Sequence, residues 1–363
     1  MTEEFYYTAS PVFEVDGQRY GELARDIVRL QVEENTSGLK FLEMRLVAVG
    51  PVAGGGGTEE VLLYLDGRIL DFGKRITVAI GPPSTQRIIF NGFISFLEID
   101  FEEGEEPEVV ICAEDKFMDL RMTPRMRSYE SMSDADIAAA IASEHGLGAE
   151  VDVRGPVYDR ILQMNMSDLA FLRDRARLLQ AEVWVDDETL YFQTRDRRQG
   201  TQIDLLRGTD IITVQACADL AHQRTRVNVS GYDAQTREVI DESAGQEAIL
   251  AEVTGGRTGP SILQRAFGPR EARRVREVCL NTEEAAEWAR SDMLRRARAF
   301  VTVDGVTRGT PDMVVGSHLA LRHMGVPFNG DGYYVTRVCH TYDLNQGHRT
   351  QFTAQRATVG NNA

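Results

Sequence analysis

The residues best suited to acid–base or metal chemistry are six histidines, His145, His222, His318, His323, His340 and His348. His318 and His323 stand five apart in a strand-like run and so fall on opposite faces. A metal-binding pair on a helix wants a spacing of four. His340 and His348 flank a hairpin signal and can approach each other, yet no cysteine or carboxylate motif completes a site there. Cys112, Cys217, Cys279 and Cys339 are too far apart for a CxxC pair and read as buried thiols of a reducing compartment. A glycosidase needs two carboxylates, one of them buried enough to hold its proton. Glu102-Glu103 and Glu105-Glu106 lie instead in a Gly- and Pro-containing acidic loop and read as a solvated turn. Asp115 and Lys116 read as a surface ion pair. No GxSxG elbow occurs, and Gly54–Gly57 lacks the Lys-Ser/Thr of a phosphate-binding loop. The expectation is a protein that is not an enzyme, with no catalytic residue, no metal and no cofactor.

Composition agrees. The chain has 363 residues, suited to two or three domains, with 42% apolar and 26% charged residues. No apolar run is long enough to cross a membrane as a helix, and the acidic start lacks a secretion-signal pattern. The formal charge of −16 repels nucleic acid. Residues 1 to 120 hold about 23 acids against about 10 bases, read as a solvated surface or, in the sharper reading, as the wall of a channel.

The first third alternates as strands do, in Val28–Glu33, around Leu42, Met44 and Leu46, and in Ile76–Ile80. Asp16-Gly17, Asp66-Gly67 and Asn91-Gly92 are turn signals, the last read as a hairpin turn. Ser133 with Asp136 forms a capping box for a helix that Gly146 stops. A second helix starts at Ser167, with Leu169, Leu172, Ala176 and Leu179 on one face and Asp168, Arg173, Asp174 and Arg177 on the other. Residues 183–192 read as a hairpin packed on it. A long helix follows Thr282, with Ala285, Trp288, Ala289, Met293 and Ala297 on one face and acids first, bases last. Trp184 and Trp288 both read as core. The expected fold is α+β, mainly β: two tube-like antiparallel β-barrels with α+β peripheral insertions. Residues 1–120 form the first barrel and 121–200 a peripheral α+β module. Residues 201–235 with 297–363 form the second barrel, and 236–296 a peripheral insertion with the long helix.

The run Gln163–Arg173, followed by Glu182–Asp186 and Thr189–Phe192, resembles the phage late control protein D family, tail-hub proteins related to the N-terminal part of VgrG-type spike proteins. Ala289–Ala299, Gly309–Gly316, Gly332–Val335, His340 and Gly347–Phe352 continue the pattern to the end of the chain.

The resemblance implies a baseplate hub of a contractile tail or injection machine. Three protomers with two barrels each would form a pseudo-sixfold ring joining a sixfold inner tube to a threefold spike. Implied partners are two further copies of the chain (a homotrimer), a VgrG-type or equivalent spike, the inner tube protein and baseplate wedge components. Nucleic-acid recognition and membrane insertion are not expected. Synthesis in the bacterial cytoplasm and assembly into a phage tail or phage-tail-like particle are. The spike is expected as a separate polypeptide, because no β-helix repeat follows the second barrel. Val28, Leu30 and Val32 of one strand and Tyr333, Val335 and Arg337 of another are the candidate ring-forming residues. The alternatives are another tail-tube or baseplate position, and a carbohydrate-binding or hydrolytic β-protein.

Overall fold

Alternating burial builds one large sheet from two matching units. The computed structural model describes residues 10–51, 60–82, 86–233, 236–274 and 278–360. Gly54–Gly57, expected as a loop, lies outside the described residues. The first unit contains β1 (Val12–Val15), β2 (Ile27–Asn35), β3 (Phe41–Val47), β4 (Arg75–Ile80), β5 (Arg87–Asp100) and β6 (Glu108–Glu114). The second contains β7 (Gln202–Leu206), β8 (Ile211–Ala218), β9 (Val301–Thr307), β10 (His318–Arg322), β11 (Gly330–Asp343) and β12 (Gly347–Arg356). A two-residue strand, Gln18–Arg19, adds to the edge beside β1.

The units share a spatial order. The first runs β2-β3-β6-β5-β4-β1 and the second β8-β9-β12-β11-β10-β7, the same places in the same chain order. They differ at the outermost pair, since β1 meets β4 antiparallel and β7 meets β10 parallel. In each unit the 14-residue strand, β5 or β11, pairs one neighbour with its first part and another with its second. The seam between units is antiparallel, from Arg337 opposite Asn35 to Asp343 opposite Arg29. Strands bury every second side chain. Leu42, Met44 and Leu46 of β3 enter the first core with Phe13, Ile76 and Phe90. Val301, Val303, Tyr333 and Phe352 anchor the second core. Tyr342 of β11 packs in the first core, so the seam shares apolar contacts as well as a ladder.

Two smaller bodies sit outside this sheet. One combines α1 (Asp134–Glu144) and α2 (Asp168–Leu179) with the strands Ala181–Asp186 and Thr189–Thr194 around Ile137, Leu169, Leu172 and Phe192. Ser133 and Asp136 close the capping box on α1, and Gly146 follows with φ 67. The other packs α3 (Thr282–Arg298) through Ala285, Trp288, Ala289 and Met293 onto Val227 and Val229. The strand Arg226–Asp233, placed by sequence in the second barrel, pairs here with Glu238–Gly245 and Glu271–Arg274 instead. Val227 and Val229 find their apolar partners on α3 rather than in the barrel.

Asn91-Gly92 is not a turn. It lies inside β5, opposite Thr77 and Ile76 of β4. A Cβ at Gly92 would stand 2.3 Å from the Glu114 carbonyl oxygen, so this glycine permits close backbone approach rather than a positive φ. Asp168, expected on the polar face of α2, is buried and serves His145, Gln163 and Arg125. Trp184, expected in the core, is only partly buried and stacks on Tyr191 at 4.9 Å.

Candidate assembly interface

The candidate ring residues lie on the two strands that form the seam within the chain. Leu30, Val32, Tyr333 and Val335 point into the protomer's own cores and are at most 2% exposed. Their side chains are therefore not presented to a partner, which corrects the expectation for these four. Hydrophobic alternation marks a core face and does not distinguish a seam from an interface. Val28 and Arg337 are half-buried. Arg337 spans the seam to Glu33 with two hydrogen bonds of 2.8 Å. That guanidinium holds the Glu33 carboxyl below its usual range.

A charged junction ties the first peripheral body to both units of the large sheet. Arg198 donates to Glu34 of β2 and, at 3.2 Å, to Glu182, while Lys40 approaches Glu34 at 3.2 Å. The Tyr334 hydroxyl of β11 donates to Glu182 at 2.8 Å. Arg195 lies over the Tyr334 ring at 4.3 Å, and Arg198 over Trp184 at the same distance. Burial alone would raise the Glu34 pKa, but Lys40 and Arg198 outweigh it and lower it.

The face of the large sheet turned away from its cores is polar. Its acids include Glu33, Glu43, Glu98, Asp100, Glu108 and Asp304, and its bases include Arg29, Arg45 and Arg337. Eight strands, in the order β8-β9-β12-β11-β2-β3-β6-β5, run antiparallel throughout. Both ends of this run are open. The outer edge of β8 has no strand partner from Thr213 to Ala218, and that of β5 has none beyond Ile94, among the described residues. Phe96 on one edge and Ile212 on the other are 42% and 45% exposed. Sequence reasoning missed these edges.

Several of the groups that first suggested chemistry have structural partners. His340 Nε2 donates to the Met313 carbonyl at 3.1 Å, and its Nδ1 lies 3.1 Å from Thr350 Oγ1 and 3.3 Å from His348 Nε2. Burial lowers the two histidines to about 3 and about 4. Among the described residues no group of three metal-binding side chains comes together. Asp115 is not in a surface ion pair. It is buried, accepts the N–H of Lys40 at 2.7 Å and of Phe117 at 3.0 Å, and burial raises it to about 7. Lys116 turns instead to Asp119 at 2.9 Å. Cys279 and Cys339 are buried, whereas Cys217 is exposed on β8, correcting the expectation of four buried thiols.

This architecture is the fold of phage tail and baseplate proteins. The 43 kDa tail protein of prophage MuSo2 from Shewanella oneidensis superposes with a TM-score of 0.67 at 13% identity, over 96% of this chain and 98% of that one. A tail protein from Neisseria meningitidis MC58 gives 0.64 at 12%, over 98% of each. The E. coli c3393 protein, a component of the type VI secretion system, gives 0.57 at 11%, over 93% of this chain and 76% of that one. No curated protein sequence matches. The family model described as the Alg8 N-terminal domain matches residues 58–343, and the chain belongs to that family.

Proposed function

We propose that this chain is a structural baseplate hub: three copies close into a ring that joins the inner tube of a tail or injection machine to its spike. The observation that carries the reading is the pair of topologically matching units fused edge to edge into eight antiparallel strands with both ends open. An even number of antiparallel strands leaves its end strands running in opposite directions, so copies can join head to tail in the same antiparallel pattern. Such joining closes a ring and removes every open edge of the run. With two units per copy, three copies present six similar units, which match a sixfold tube on one side and a threefold spike on the other.

In this ring the cores and peripheral bodies lie outside, and the polar face carrying Glu33, Glu43, Glu98 and Asp100 lines the channel. A wall in which acids outnumber bases repels an anionic cargo and limits its adhesion. The domain division follows: residues 1–120 and 201–225 with 297–363 build the ring, while 121–200 and 226–296 face the baseplate. The role is structural rather than catalytic, with assembly into a tail-like particle.

The test is native mass with two-dimensional imaging, for the protein alone and mixed with its spike. The expected result is a species near three times 40.5 kDa with a central hole in at least one of the two conditions. A monomer in both overturns the reading.

A further inference from the structure

We infer that the seam inside the chain is the template for the contact between copies, and that it fixes the register: β5 of one copy pairs antiparallel with β8 of the next, with Glu98 opposite Cys217. This inference rests on the proposed ring and adds to it a defined pair of edges and a defined alignment.

The four-strand ladders of the two units match position by position in register. β5 carries a bulge between Ile94 and Phe96 where it meets β6, and β11 carries one between Val335 and Arg337 where it meets β12. Matching these bulges makes Phe96 equivalent to Arg337. At the far side of each four-strand ladder, β2 is bulged between Ile27 and Arg29, and β8 between Ile211 and Thr213. Matching those makes Arg29 equivalent to Thr213. The two matches can be checked against each other across the intervening strands. In the first unit Phe96 stands opposite Cys112, Cys112 opposite Glu43, and Glu43 opposite Gln31. In the second, Arg337 stands opposite Thr353, Thr353 opposite Asp304, and Asp304 opposite Gln215. Gln31 thus corresponds to Gln215, which is what the second pair of bulges requires. Bulges are specific features of a ladder, so their agreement at both ends leaves no freedom of register.

Within the chain, the last part of β11 pairs with β2, placing Cys339 opposite Glu33 and Thr341 opposite Gln31. The outer edge of the equivalent part of β5, whose inner edge pairs with β6, has no strand partner among the described residues, and neither does the equivalent edge of β8. Carrying the seam over places Leu97 opposite Ala218, Glu98 opposite Cys217, Ile99 opposite Ala216 and Asp100 opposite Gln215. The chemistry of the two contacts differs. The diagonal Arg337–Glu33 ion pair of the seam is replaced by Phe96 and Cys217, an exposed ring and an exposed thiol. The contact between copies therefore sets a ring against a thiol where the contact within the chain pairs charges.

The experiment is Glu98→Cys in the full-length chain, oxidised under the conditions that give the three-copy species. Directly opposed residues on antiparallel strands bring their Cα atoms to about 4.5–5.5 Å, inside the Cα range of a disulfide. The expected result is a reducible covalent trimer with a 98–217 linked peptide, lost when Cys217→Ser is added. Asp100→Cys, one step along the same face, should link far less. In the parent, maleimide should label Cys217 in the monomer and at least tenfold more slowly in the ring. A ring that forms with no 98–217 link and with Cys217 still reactive overturns the register and leaves the hub reading standing. Absence of any three-copy species overturns both.

Discussion

At the scale of single residues, the decisive chemistry is charge burial rather than catalysis. Arg198 is 5% exposed and contacts two acids, Glu34 and Glu182, that are themselves nearly buried. Removing one partner of such a group strands the other charges in a low-dielectric site. Arg198→Ala should cost about 3–5 kcal/mol in a denaturant titration, and a loss under about 1 kcal/mol would show that the junction is open to water. The buried histidines give a pH dependence with a definite sign. His340 and His348 sit far below the ordinary value near 6.5, so the unfolded chain binds more protons between about pH 4 and 6.5. Stability from this source is fully present above about pH 6.5 and falls as the solution is acidified. Asp115, raised to about 7, acts oppositely, losing stability as pH rises from about 4 to 7. The test is therefore a difference: His340→Gln should lower stability at pH 7.5 yet flatten the decline between pH 6.5 and 4.5 relative to the parent. Parallel declines would exclude His340 as a source.

At the scale of elements, what was legible in the sequence is what local physics decides. Capping at Ser133, the apolar stripes of α2 and α3, and the alternation in β3 all appear where residue spacing puts them. Asn91-Gly92 was misread because its dipeptide signal is local, whereas the need for glycine arises from Glu114, distant in sequence. The strand at 226–233 was misplaced because strand-forming sequence does not name a partner. Leu30, Val32, Tyr333 and Val335 read as ring-forming candidates, but alternation cannot separate a seam within the chain from an interface between chains. Gly92→Ala tests the reading of that glycine as a close approach. A Cβ there meets backbone and the Phe90 ring, so the substitution should cost about 1–3 kcal/mol through overpacking. A strand glycine with open space above its Cα would lose far less.

At the scale of the whole molecule, the fold repeats one six-stranded plan, and in the proposed ring the repeat serves two contacts. Inside the chain, β2 and β11 meet across a salt-bridged seam, while the matching outer edges of β5 and β8 are open among the described residues. Equivalent positions in the two units should therefore respond differently to the same kind of change. Arg337→Glu places a carboxylate against Glu33 within the protomer, where both groups are partly shielded. It should lower the unfolding midpoint of the monomer itself. Phe96→Glu lies at the equivalent position on an open edge, where the monomer has nothing to lose beyond an exposed ring. It should leave the monomer's unfolding free energy within about 0.5 kcal/mol of the parent while abolishing the three-copy species, because the carboxylate would be held in the join beside Glu98 and Cys217 with no cation to meet it. Denaturant titration and native mass measured on both variants separate the cases. If Phe96→Glu unfolds the monomer, or assembles as well as the parent, the edge of β5 is not where copies meet.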